Sequence, residues 1–157
     1  MRIGHGYDVH KLKNGRKCVL CGVHVPSDFG PDGHSDADVA VHALMDAILG
    51  ALALGDIGKI FPDTDKTWKD AYSIELLKTV YNMAHEQGYI ISNADITIVL
   101  EAPRIAPYID KMRETIAGAL DTNIRNISVK ATTEESPELI GDGGYIKSFA
   151  VVLLNIC

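Results

Sequence analysis

Residues 34–54 read HSDADVAVHALMDAILGALAL, and the fold of the chain turns on them. Alanine and leucine dominate and no proline interrupts, so the stretch predicts a long helix over 37–54. Ser35 or Asp36 is the expected N-cap, because a short polar side chain there can accept a backbone N–H. His34, Asp38, His42 and Asp46 recur every four residues. That spacing stacks side chains along one slowly rotating helix face, with His34 just ahead of the helix proper. A solvated face usually carries Lys, Arg and Glu, whereas this one carries only histidine and aspartate among residues suited to burial. Such groups need partners or a metal, because isolated buried charge is costly.

The N-terminus supplies a possible complement. In MRIGHGYDVHKL residues 2–8 read as a strand, and Asp8 and His10 sit two apart. Successive strand residues alternate faces, so both project to the same side. The pair alone has two readings, half of a metal site or a solvated edge. His42 alone would be a core histidine. Together, Asp8, His10 and His42 offer one carboxylate and two imidazoles, a set suited to Zn²⁺ with a fourth position left open. Asp38 and Asp46 would then orient ligands or touch substrate.

The remaining elements follow from punctuation. Residues 17–25 read as two short strands joined around Gly22, and GPDGHSD as a loop of turn formers. GDIGKIFPDTDKTW reads as a polar loop. A second helix is expected over 72–87, with Asp70 as cap and Gly88 just past its end. The β-branched stretch 89–100 is a strand, and Pro107 opens a third helix reaching about Leu120. NISVKATT and YIKSFAVVLLN are the last strands, separated by the loop TEESPELIGDGG. Helices packed on one face of a mixed sheet give an α+β fold, expected as a single domain over 1–157.

Composition narrows the function. The chain has 157 residues, 46% of them hydrophobic, and a formal charge of −6. Its pI near 5.4 argues against nucleic-acid and acidic-membrane partners. An anionic substrate would therefore need a metal, backbone N–H groups or a few basic side chains. No apolar run of about 18 residues and no basic n-region with an apolar h-region occurs. Three cysteines, Cys18, Cys21 and Cys157, suit a reducing, cytoplasmic setting. Cys18 and Cys21 do spell CxxC, but three residues apart on a hairpin they face opposite ways, and no second pair completes a zinc site. Neither GxxxxGKS/T nor GxGxxG is present. Acceptors and hydroxyls gather instead in GDIG, in FPDTD and in Thr132-Thr133 before Glu134-Glu135.

Four stretches in this order, IGHGYDVHKL, HSDADVAVHALMDAILGALALGDIGKIFPDTD, EAPRIAPYI and VKATTEE, carry a resemblance that spans nearly the whole chain. They resemble the 2-C-methyl-D-erythritol 2,4-cyclodiphosphate synthases of the non-mevalonate isoprenoid pathway. The departures lie in PELIGDGGYI, where Leu139 and Asp142 replace the aromatic and the arginine common in that family.

The resemblance implies a homotrimer with active sites at subunit boundaries. Its substrate would be 4-diphosphocytidyl-2-C-methyl-D-erythritol 2-phosphate, and its products the 2,4-cyclodiphosphate and CMP. Zinc goes to Asp8, His10 and His42 by matching motif positions. His34 and Ser35 would hold the substrate phosphate, with Asp8 and His10 also contacting substrate. Asp56, Ile57 and Gly58 would meet the methylerythritol part, with Phe61, Asp63 and Asp65 nearby. Leu100, Ala102, Pro103, Arg104, Ile105 and Ala106 would form the cytidine and diphosphate pocket with Thr132 and Thr133. Glu135 would carry a second divalent ion, Mg²⁺ or Mn²⁺. Arg104 stands where the family often has lysine, which keeps the charge and changes the geometry. His34 and Thr133 would act catalytically, by hydrogen bonds to the developing transition state. Two other classes fit the same ligands: a zinc-dependent phosphohydrolase using water, and a non-catalytic trimer that binds metal or a prenyl diphosphate.

Overall fold

The computed structural model describes residues 1–62, 64–68 and 71–157. Asp63 and Asp70 lie outside the described residues. The first strand, β1 (Arg2–Asn14), is followed by the hairpin β2 (Cys18–Leu20) and β3 (Val23–Val25), then β4 (Phe29–Pro31). Next come helix α1 (Val39–Ala51), the single turn α2 (Ile57–Ile60) and helix α3 (Ser73–Glu86). Strand β5 (Tyr89–Val99), helix α4 (Ile109–Ala119) and strands β6 (Ile127–Thr132) and β7 (Tyr145–Ile156) complete the chain. The main sheet has the order β4-β1-β7-β5-β6. Only β5 and β6 run parallel; the other neighbours are antiparallel, so the sheet is mixed.

Alternation along the strands decides which side is the core. Gly4, Gly6 and Leu12 of β1 are buried, as are Ile146, Ser148, Ala150, Val152 and Leu154 of β7. Helix α1 packs on this face across β1 and β7, with α3 against α1 and α4 against β6. The α+β reading with helices on one face therefore holds. Eleven residues of α1 are buried, among them Leu44, Met45, Ile48 and Leu49. Each large apolar side chain contributes about 1.5–3 kcal/mol through burial. The opposite face leaves Ile3, Tyr7, Val9, Phe149 and Val151 exposed, with the rings of Tyr7 and Phe149 5.0 Å apart.

Two glycines let β1 lie directly on α1. A Cβ on Gly4 would stand 1.8 Å from the Ala47 carbonyl oxygen, and one on Gly6 1.9 Å from that of Ala43. No side chain fits there, so strand and helix meet backbone to backbone.

Several boundaries differ from the sequence reading. The N-cap of α1 is Asp38, not Ser35 or Asp36; its carboxylate accepts the Val41 N–H at 3.2 Å. The same carboxylate accepts the N–H groups of Cys21 (2.9 Å) and Gly22 (2.6 Å), tying the hairpin to the helix start. The helix stops at Ala51 and Ala53 adopts a positive φ of 58°, so residues 52–54 are not helical. Within the expected loop after it, Asp56 caps α2 by accepting from Lys59 N–H. Gly30 and Pro31 belong to β4 rather than to a loop, pairing with Lys13 and Leu12. Strand β1 runs to Asn14, where Asp142 accepts the Asn14 N–H at 3.2 Å. Gly88, with φ of 77°, follows α3 as expected of a glycine past a helix end.

Candidate active site

Close packing of β1 on α1 sets the Asp8 and His10 side chains, on the buried face of the strand, against His42 on the helix. Asp8 Oδ2 lies 3.0 Å from His10 Nε2 and 3.1 Å from His42 Nδ1, and the two ring nitrogens are 3.3 Å apart. Three donors at Zn–N and Zn–O distances around a tetrahedral ion are separated by about 3.3 Å. The observed spacing fits that figure. Among the described residues these are the three side chains whose ligand atoms converge in this way.

Protonation favours the same conclusion. His10 Nδ1 sits 2.9 Å from the Asp32 carbonyl oxygen. A carbonyl only accepts, so Nδ1 carries the hydrogen and a neutral His10 turns the Nε2 lone pair inward. Burial would raise the Asp8 carboxyl, but the hydrogen bond from His10 and the His42 ring beside it hold it well below the usual carboxylate range. Burial also opposes a charge on His10, yet the Asp8 carboxylate outweighs it and raises the imidazole above 6.5. The carboxylate that draws a proton to His10 would draw a metal cation in its place.

The triad lines a cavity of about 260 Å³ together with His34, Ser35, Ile57, Gly58 and Phe61, all named from the sequence. Trp68, Met45, Leu76 and Gly33 complete its wall and were not expected. Asp56 is exposed at the cap of α2, and Asp65 is exposed and accepts the Thr67 N–H at 2.9 Å. Arg16 is a further contributor with no sequence signal. It donates to the carbonyls of Pro31 (3.3 Å), Gly33 (3.2 Å) and Ser35 (3.3 Å), bracing the loop that carries His34 and Ser35.

Asp38 and Asp46 do not join the triad. Asp38 is fully buried and faces the three amides described above. Burial and the Asp36 carboxylate push it up to about 6, against those amides. Asp46 accepts the Ile57 N–H at 2.8 Å and so places the α2 turn beside the cavity.

A second cavity of about 410 Å³ gathers Leu100, Pro103, Arg104, Ile105, Ala106, Thr132 and Thr133, with Glu101, Ile109 and Ala131. Ala102 lies in the same loop. The strand register relates the two sites: Asp8 pairs with Ser148, Ser148 with Ile98, and Ile98 with Ala131. Three interstrand steps put Asp8 and Ala131 about 14 Å apart in the sheet. The two cavities share no lining residue. Glu135 is exposed with a positive φ of 56°. Its neighbours are engaged: Glu134 pairs with Lys147 at 2.8 Å, and Glu101 accepts the N–H groups of Glu134 and Ser136.

Fold and site together define an α+β protein with a metal-binding triad lining a pocket of polar and aromatic groups. The YgbB family model matches residues 1–155, and the chain belongs to that family. A 2-C-methyl-D-erythritol 2,4-cyclodiphosphate synthase of Vibrio vulnificus (strain YJ016) is 57% identical over 154 residues, 98% of each chain. One from Clostridioides difficile (strain 630) is 55% identical, covering 98% of this chain and 96% of its own. A solved structure of a synthase of that name in a CDP-bound form matches with a TM-score of 0.90 at 34% identity. That match covers 98% of this chain and 100% of the other. Among the described residues no helix is long and apolar enough to cross a membrane.

Proposed function

We propose that this protein is the lyase of non-mevalonate isoprenoid synthesis that closes 4-diphosphocytidyl-2-C-methyl-D-erythritol 2-phosphate to the 2,4-cyclodiphosphate, releasing CMP. The observation that carries the reading is the convergence of Asp8, His10 and His42 in a cavity also lined by His34 and Ser35. Relatives of that name at 57% and 55% identity support it.

In this reading one oxygen of the 2-phosphate forms a bond to the β-phosphorus. The bond from that phosphorus to the α-phosphoryl oxygen breaks, and CMP leaves with the electron pair. No protein nucleophile is needed, so catalysis rests on holding a flexible chain folded and on neutralising its charge. Asp8, His10 and His42 would hold Zn²⁺, which would supply Lewis-acid polarisation of a phosphoryl oxygen. Glu135, which is exposed, suits Mg²⁺ or Mn²⁺, which bind through one or two carboxylates and substrate phosphates. His34 and Ser35 hydrogen-bond the substrate phosphate, and Ile57, Gly58 and Phe61 wall its methylerythritol part. The second cavity takes the cytidine diphosphate end, with Arg104 near the phosphates and Thr133 donating as charge develops.

The protein acts as a homotrimer in the cytoplasm. The exposed apolar face bearing Ile3, Tyr7, Val9, Phe149 and Val151 is the kind of surface that marks association. Assembly brings the second cavity of one copy towards the triad of the next, so one substrate spans two subunits. The test is His42→Ala, which removes one of three protein ligands. The purified wild type should carry zinc and convert the substrate, with two coupled ³¹P resonances of a cyclic diphosphate appearing beside CMP. His42→Ala should fold, lose zinc and lose turnover; full zinc stoichiometry in the variant would overturn the reading.

A further inference from the structure

His42 meets the triad through Nδ1, 3.1 Å from Asp8 Oδ2 and 3.3 Å from His10 Nε2. A neutral imidazole carries one proton, so Nδ1 offers a lone pair only when that proton sits on Nε2. Asp8 acts against this arrangement, since a carboxylate beside Nδ1 draws the proton to that side. Something beyond the ring must hold it on Nε2.

Ser73 Oγ and Ser35 Oγ each lie 3.1 Å from Nε2. A hydroxyl donates or accepts, and its direction follows from where its own hydrogen goes. For Ser73 this is fixed, because its hydroxyl donates to Asp36 Oδ1 and a carboxylate only accepts. Asp36 is held in turn by backbone amides: Ser73 N–H reaches Oδ2 at 2.9 Å and Asp38 N–H reaches Oδ1 at 3.2 Å. Ser73 Oγ therefore turns a lone pair to His42, and Nε2 must donate. Ser73 is fully buried, so water does not take the hydroxyl's place. Ser35 Oγ accepts the Ala37 N–H at 3.1 Å and keeps a second lone pair with which it can also accept from Nε2.

We propose that Asp36 and Ser73 are positioning residues for the metal centre: the chain Asp36–Ser73–His42 fixes the tautomer of His42 whose Nδ1 lone pair faces Asp8 and His10. The proposal rests on the reading of the triad as a metal site. Groups that hold the far nitrogen of a ligating histidine commonly set metal affinity by about 10–100-fold. Asp36 also caps α3 from outside the helix, through the Ser73 N–H, so one carboxylate sets both the helix start and the ring beneath it.

The test uses the zinc-loaded wild type with ¹⁵N-labelled histidine. A long-range ¹H–¹⁵N spectrum should show the His42 proton on Nε2, exchanging slowly with water. Ser73→Ala, folded by circular dichroism, should bind zinc about 10–100-fold more weakly in competition with a chromophoric chelator. It should also lose the slow Nε2–H signal, which loss of packing alone would not remove. An unchanged zinc affinity in folded Ser73→Ala would overturn the proposal and leave the triad reading standing, whereas zinc bound with the His42 proton on Nδ1 would overturn both. A wild type that binds no zinc would remove both.

Discussion

A Cβ placed on Gly6 would stand 1.9 Å from the carbonyl oxygen of Ala43, so β1 and α1 touch through their backbones. This contact is the reason that a carboxylate at position 8 reaches a ring nitrogen at position 42. Gly6→Ala must push strand and helix apart, because the obstacle is a backbone oxygen and not a flexible side chain. Overpacking usually costs about 1–3 kcal/mol, and this site belongs at the upper end. Thermal unfolding of the purified variant should show that loss, with zinc content falling in parallel. A variant with wild-type melting temperature and full zinc would mean that the triad does not depend on this contact.

Arg16 braces the carbonyls of Pro31, Gly33 and Ser35 from the hairpin side. Arg16→Ala frees the loop that presents His34 and Ser35 and leaves all three metal ligands themselves in place. Zinc stoichiometry should stay at the wild-type value while kcat/KM falls by about 10-fold, a loss of roughly 1.4 kcal/mol in transition-state binding. Arg16→Lys should recover only part, since a single ammonium cannot bridge three carbonyls as a planar guanidinium does. Steady-state kinetics beside metal analysis decides it.

Much of this was legible in the sequence. The strand period placed Asp8 and His10 on one side, and the alanine- and leucine-rich run announced the helix bearing His42. The four-residue repeat was misleading for Asp38 and Asp46. Spacing reveals a shared helix face, but not whether a carboxylate there meets a metal or an unpaired amide. Both meet amides, at a helix start and at the α2 turn. Gly4 and Gly6 share the strand face of Asp8 and permit close backbone approach, but that α1 is what approaches them appears only in the fold. Arg16, Asp36 and Ser73 act across gaps of tens of residues, which no local pattern exposes. The separation of the named residues into two cavities appears only once strand order and register are known.

Thr133 lines the second cavity, exposed at the end of β6. Thr133→Val keeps the branched shape and removes the hydroxyl. If that hydroxyl donates to the diphosphate during ring closure, kcat should fall by about 10²–10³-fold. A rise in KM at unchanged kcat would assign it to uniform binding instead.

The metal-free site titrates in two directions. Asp8 is lowered by its histidine partners, so its contribution to stability is full above 3.8 and lost as pH falls through the folded value. His10 is raised by Asp8, so its contribution is full below 6.5 and lost as pH rises through the folded value. The metal-free protein is therefore best served between those limits, where carboxylate and imidazolium coexist. Zinc needs the neutral ring and replaces that proton. The gain in melting temperature on adding zinc should be larger at about pH 8 than at about pH 6. Calorimetry showing a gain independent of pH would contradict this.

The central claim is that the substrate's own phosphate, and not water, attacks the β-phosphorus over the Asp8–His10–His42 centre. The most direct measurement is turnover of 4-diphosphocytidyl-2-C-methyl-D-erythritol 2-phosphate in H₂¹⁸O, followed by mass spectrometry of both products. Ring closure incorporates no ¹⁸O into CMP or the cyclic diphosphate, and removing the metal with a chelator should stop the reaction. One ¹⁸O in a linear product released with CMP would make the protein a phosphohydrolase and contradict the account.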